Sequence, residues 1–218
     1  MDRQIVCFAI PSLEIALVRL GHPQLRTRPL AVATLDTPRA LIREISPEAE
    51  RDGLHIGMPL DRARRLCPSL QVRLPNPHQV ATATHSILGI IQRYAPTWEP
   101  FLPGSLLMDL TGTTRLFGTA CDVATKIQTE VLTQFHLDGA AGVGSNKLVA
   151  QTAATLIAPS ELYDVRSGSE RLFMSPLSIR ALPGVHRPCM RTVLKRLDDL
   201  NLCSLGDVTD SPLEALEV

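Results

Sequence analysis

Two short apolar runs fix the kind of core that this 218-residue chain can build. They are Ile5-Val6-Cys7-Phe8-Ala9-Ile10 and, broken only by Asp109, Leu106-Leu107-Met108-Asp109-Leu110. A strand with one face in water alternates apolar and polar residues, so a continuous run reads as a strand covered on both faces. The covering helices are also legible. Apolar residues recur at 13, 16, 17 and 20, and again at 80, 83, 87, 88, 90 and 91, which is helical spacing. Ala120 to Phe135 gives a third amphipathic helix.

Further strands are expected at Pro29 to Ala33, Ala40 to Ile42 and Gln71 to Leu74, with Gly139 to Gly144 running into a helix at Asn146. Pro47 and Pro59 each open a short helix, the first closed by Gly53. Pro159 to Gly168 reads as a connector and Ser169 to Met174 as a short helix. From Leu177 the pattern is helical only. Strand–helix alternation followed by a helical tail implies an α/β (α+β) body with an all-α appendage.

Composition narrows the functional classes. Hydrophobic content of 44% suits a globular core, and the formal net charge is zero. Attraction to nucleic acid must therefore come from local patches. Only Lys126, Lys147 and Lys195 among the 22 basic residues are lysines. Five scattered cysteines without a Cys-x-x-Cys pair point to buried thiols in a reducing compartment. His186, Cys189 and Cys203 lack a fourth zinc ligand. Ile5 to Ile10 is too short to span a bilayer, so a cytoplasmic, nucleoid-associated protein without a membrane partner is expected. Gly142-x-Gly144 lacks the third glycine and downstream acid of a dinucleotide loop, and close backbone packing against a neighbouring strand explains it better.

The segment Trp98-Glu99-Pro100-Phe101-Leu102-Pro103-Gly104-Ser105-Leu106-Leu107-Met108-Asp109-Leu110-Thr111-Gly112 carries the strongest motif. It resembles, without a gap, the palm strand of Y-family translesion DNA polymerases, Glu-Pro-x-Ser-x-Asp-Glu-x-x-x-Asp-x-Thr-Gly. Other blocks match in order: Gly21-His22-Pro23 through Val32, Ser46 through Pro59 with Leu66-Cys67-Pro68, Gly142 through Lys147, and Leu182-Pro183-Gly184-Val185. The resemblance covers nearly the whole chain. It implies palm at 1–22 and 77–165, small fingers at 23–76, and a helix-hairpin-helix thumb at 166–218. The family's little finger would follow residue 218.

The departures concern chemistry. The Asp-Glu pair of the motif falls on Gly104 and Ser105, and the first metal-binding aspartate falls on Ala9. The second aspartate of that motif falls on Pro11, and the aromatic that screens the ribose hydroxyl falls on Glu14. The tyrosine and arginine that grip the triphosphate fall on Pro47 and Glu50. Of the nucleotide contacts Lys147 survives, as a phosphate contact or as a solvated helix start. Magnesium needs oxygen ligands in near-octahedral geometry, and two-metal transfer needs carboxylates. The expectation is thus no catalytic or metal-binding residues, no cofactor, and a chain that is not an enzyme.

This pattern of loss resembles the ImuB-type branch, pseudo-polymerase adaptors of damage-induced mutagenesis. That resemblance implies partners: a sliding clamp, a RecA-like accessory protein and a separate error-prone polymerase. The alternative is an active error-prone DNA polymerase that binds Mg²⁺ through relocated acids such as Glu14 and Asp109, with Glu99 also near. DNA contact is expected at the thumb hairpin Gly184-Val185-His186 and along Arg187, Arg191 and Lys195, cations at four-residue intervals on one helix face. Such binding would be weak and without sequence preference. Three phosphate contacts give a log–log salt slope of about −3.

Overall fold

The computed structural model describes residues 3–185 and 190–212. Its eight strands are β1 (Ile5–Ala9), β2 (Leu30–Ala33), β3 (Ile42–Ile45), β4 (Gln71–Arg73), β5 (Thr97–Leu102), β6 (Ser105–Asp109), β7 (Ala140–Gly144) and β8 (Leu162–Asp164). The helices that matter for the site are α1 (Leu13–Gly21), α2 (Pro47–Arg51), α3 (Leu60–Leu66), α4 (Pro77–Ile91), α5 (Thr114–Phe117), α6 (Ala120–Phe135) and α7 (Lys147–Leu156). A C-terminal helical segment adds α8 (Glu170–Met174), α9 (Arg191–Asp199) and α10 (Leu205–Asp210).

The larger sheet has the order β5-β6-β1-β7-β8, with β1 at its centre and antiparallel to both neighbours. One face carries Val6, Phe8, Ile10, Leu106, Met108 and Leu110, and these pack on Ile87, Ile90 and Ile91 of α4 and on Val123, Ile127 and Val131 of α6. The opposite face carries Ile5, Cys7, Ala9 and Leu107, met by Ala150 and Ala154 of α7. Burial on both faces is what the uninterrupted apolar run of β1 requires.

The smaller sheet, β3-β2-β4, lies within residues 30–73 and closes its own core with Ala49, Leu54, Met58, Leu60 and Ala63. Ser46 caps α2, its Oγ accepting from the amides of Leu30 and Ala49. Glu44 reaches across to the main body. Its carboxylate accepts from the Glu14 amide (3.0 Å) and the Ile15 amide (3.3 Å) at the first turn of α1.

Two strands escape the sequence patterns. β5 is an edge strand interrupted by Pro100, where the register shifts, and an edge is where a sheet tolerates proline. β8 has three residues within the expected connector and pairs in parallel with β7. β3 of the smaller sheet lies at Ile42–Ile45, where a strand at Ala40 to Ile42 was expected. Gly142 does serve close packing, but against a helix: an added Cβ would come within 2.2 Å of Ala150 O and 2.5 Å of Ala154 N in α7.

Candidate functional site

The face of the large sheet that α7 partly covers holds the positions of interest. Ala9 pairs with Ser105 across β1 and β6, and Ile5 pairs with Asp109 at the other end of the same ladder. Four residues of strand, about 13 Å, separate these two rows.

At the Ala9 end the β5–β6 turn closes tightly. Gly104 has φ +78°, in the left-handed region. Its carbonyl accepts a 2.8 Å hydrogen bond from the Ile10 amide. A Cβ at 104 would stand 3.0 Å from both Ile10 O and Leu13 Cβ. The backbone here is shaped for glycine.

Beside this turn lies a cavity of about 330 Å³ between the sheet and the C-terminal segment, lined by Cys7, Ala9, Phe101, Ser105, Gln151 and the run Leu182–Gly184. Burial pushes the Cys7 thiol up to about 12, so it stays neutral. The residues at this end do not fit a pair of divalent cations. They offer a methyl group, a glycine and one neutral hydroxyl where hard cations need anionic oxygen. Among the described residues, no three His, Cys, Asp or Glu side chains come together in a way that could hold a metal ion.

Of the acids named as replacements, Glu14 stands apart from Asp109 and Glu99, which share a pocket. Glu14 is buried on α1, past the end of β1, with Oε1 3.4 Å from Arg43. Asp109 sits at the far end of the ladder, 3.6 Å from Arg3. Burial works to raise the Asp109 carboxyl, but hydrogen bonds from Thr111 and the nearby Arg3 outweigh it and hold it below its usual range. Glu99 accepts from Lys147 Nζ at 2.7 Å. Arg3, Glu99, Asp109 and Lys147 together line a second pocket of about 100 Å³ with Trp98. Each of its acids is already matched by a cation.

Lys147 therefore sits in that second pocket and not at the Ala9–Ser105 row. The side chain that α7 sends to that row is Gln151, one turn further along the same helix face. Sequence reading missed it. The available signal was a polar residue four places after Lys147, amid Ala150, Ala153 and Ala154. Pro47 and Glu50 are both exposed on α2. In the C-terminal segment Gly184 has φ +84° and Val185 is buried. Arg191 and Lys195 project from α9 in exposed positions. His186, Arg187 and Cys189 lie outside the described residues.

Residues 11–155, well over half of the chain, match the impB/mucB/samB family. The chain belongs to that family, the Y-family of DNA polymerases. It is 31% identical over 199 residues to DNA polymerase IV of Desulfatibacillum aliphaticivorans, covering 90% of this chain and 49% of that protein. It is 24% identical over 216 residues to DNA polymerase IV of Dehalococcoides mccartyi, covering 99% of this chain and 54% of that one. The chain thus spans about half the length of the curated relatives it matches. Among solved structures, DinB from Sulfolobus solfataricus superposes with a TM-score of 0.85 at 21% identity, over 98% of this chain and 62% of that one. An insertion ternary complex of Dbh DNA polymerase gives 0.83 over the same shares. These likenesses show a Y-family polymerase fold.

One expectation is corrected here. The missing carboxylates led to a chain that is not an enzyme, but the relatives carry the enzyme name DNA polymerase IV and point to an enzyme family. The physical reason for the error is that three neutral positions describe one end of one cleft. They do not describe the reaction class of a family whose members are named for polymerase activity. Among the described residues, no helix is long and apolar enough to cross a membrane.

Proposed function

We propose that this chain supplies palm, fingers and thumb to a translesion DNA synthesis protein and holds primer-template DNA against the α7-covered face of its large sheet. The observation that carries this reading is the sheet order β5-β6-β1-β7-β8, seated in a fold that matches DinB over 98% of the chain. The relatives' name supports error-prone nucleotidyl transfer as the reaction class of the whole protein. In that case the carboxylates are Glu99 and Asp109, the pair that shares a pocket, and Lys147 and Arg3 release them when substrate binds.

A second reading is favoured by one observation, the neutral row Ala9–Ser105 beside a left-handed Gly104. It is the ImuB-type adaptor role, in which this body presents DNA to a separate error-prone polymerase in company with a sliding clamp and a RecA-like accessory protein. The test is primer extension by the full-length protein with Mg²⁺ or Mn²⁺. Extension lost in Glu99→Gln and Asp109→Asn supports transfer in this palm. Tight primer-template binding without extension supports the adaptor. Failure to bind DNA overturns both.

A further inference from the structure

We propose that the cavity between the sheet and the Leu182–Gly184 run is a binding site for a neutral nucleobase. This rests on the reading that the chain works on DNA. Gln151 is 93% buried, at 7% relative exposure, and lines the cavity. Among the described residues its side-chain amide has no protein partner and faces the cavity, whereas Thr152 and Ser46 are satisfied within the protein. An amide that opens into the cavity is free to exchange water for the polar edge of a ligand.

The surroundings select the ligand. At about 330 Å³ the space falls in the range of small-molecule sites, roughly 300–1,000 Å³. Cys7, Ala9 and Leu156 give apolar walls, and Phe101 gives a ring on which a flat heterocycle can stack. The Gln151 amide and the Ser105 hydroxyl each donate and accept, which suits the mixed edge of a base. Arg180, at the rim, is held by Asp198 at 2.7 Å. With a neutral thiol below and that cation already paired, the cavity favours an uncharged ring and offers nothing to a triphosphate. The base can come from a strand, swung out of its stack, or from a free nucleoside.

The test uses the full chain with two probes, a single-stranded oligonucleotide containing 2-aminopurine and free 2-aminopurine riboside. Anisotropy of an end label reports strand binding, and 2-aminopurine emission reports the base. A base leaving its stack gives a saturable emission change in the parent. Gln151→Leu keeps the volume and removes the amide, and it weakens that change about tenfold while end-label anisotropy persists. Ser105→Ala is a second variant that leaves α7 intact and weakens it in the same direction. A saturable, Gln151-dependent change with the riboside alone also supports the site and assigns a free nucleoside as the source. An oligonucleotide that binds without any emission change, together with a silent riboside, overturns the pocket and leaves the DNA reading standing. If no oligonucleotide binds, the DNA reading falls and the riboside decides the pocket alone: Gln151-dependent emission supports it, none overturns it.

Discussion

Ser105 stands directly across from Ala9 in the antiparallel pairing of β6 with β1, so the two side chains leave the sheet side by side on one face. Opposed Cβ atoms in such pairs lie about 4.5–5.5 Å apart. Two carboxylates placed there could share a cation. An Ala9→Asp, Ser105→Glu variant is therefore expected to bind Mn²⁺ about tenfold or more tighter than the parent by calorimetry. Without metal, like charges opposite one another should cost about 0.2–1 kcal/mol of stability. Parent-like Mn²⁺ binding would mean that the sheet does not present these positions to a common ion.

Gly104 behaves differently from its neighbour. A side chain there needs a left-handed backbone and meets Ile10 O and Leu13 Cβ at 3.0 Å. Gly104→Asp is expected to lose about 1–3 kcal/mol in urea unfolding, and Gly104→Ala about as much. A neutral result would show that the turn relaxes freely and that glycine is not required.

Gly142 lets β7 lie close against the backbone of α7. Gly142→Ala forces a methyl group to within 2.5 Å of two backbone atoms of that helix. The expected loss is about 1–3 kcal/mol or more, read as a lower thermal midpoint. An unchanged midpoint would contradict the packing.

How much of this was legible beforehand follows from what each residue does. The run at β1 and the helical spacing of α4 and α6 are core signals, and core periodicity is a local property of sequence. β5 was hidden because Pro100 contradicts a strand everywhere except at an edge, and edges are decided by tertiary order. Lys147 and Gln151 lie on one helix face, so spacing alone could not say which reaches the Ala9–Ser105 row. That depends on where α7 crosses the sheet. The positions Ala9, Gly104 and Ser105 were found from the motif, while the left-handed turn that makes Gly104 a fitting residue appears only in three dimensions.

Glu44 gives a pH signature for the contact between the small sheet and α1. Burial raises its carboxyl above the ordinary range, opposed by hydrogen bonds from the Ile15 and Glu14 amides and by Arg43, and reinforced by the Glu14 charge. A carboxyl raised in the folded state stabilises fully below its unfolded pKa, about 4.3. That contribution is lost as pH rises through the folded value. Glu44→Gln keeps an acceptor oxygen without the titration. The variant should gain stability relative to the parent as pH rises from 4 toward neutrality, as read by urea unfolding. A constant difference across that range would remove Glu44 as the source.

DNA binding by the full-length protein tests the central claim most directly. Arg191 and Lys195 are exposed on α9 one turn apart. Each phosphate neutralised on a duplex contributes a slope of about −0.9 to the log–log salt dependence of affinity. Anisotropy of a primer-template measured across a salt series should show binding that weakens steeply with salt. Reversing both cations to glutamate should flatten the slope by about two units and weaken binding at least about tenfold at low salt. Equal affinity and equal slope in parent and variant would show that DNA does not run along this helix. No binding by the parent would contradict the account of this chain as a DNA-holding polymerase body.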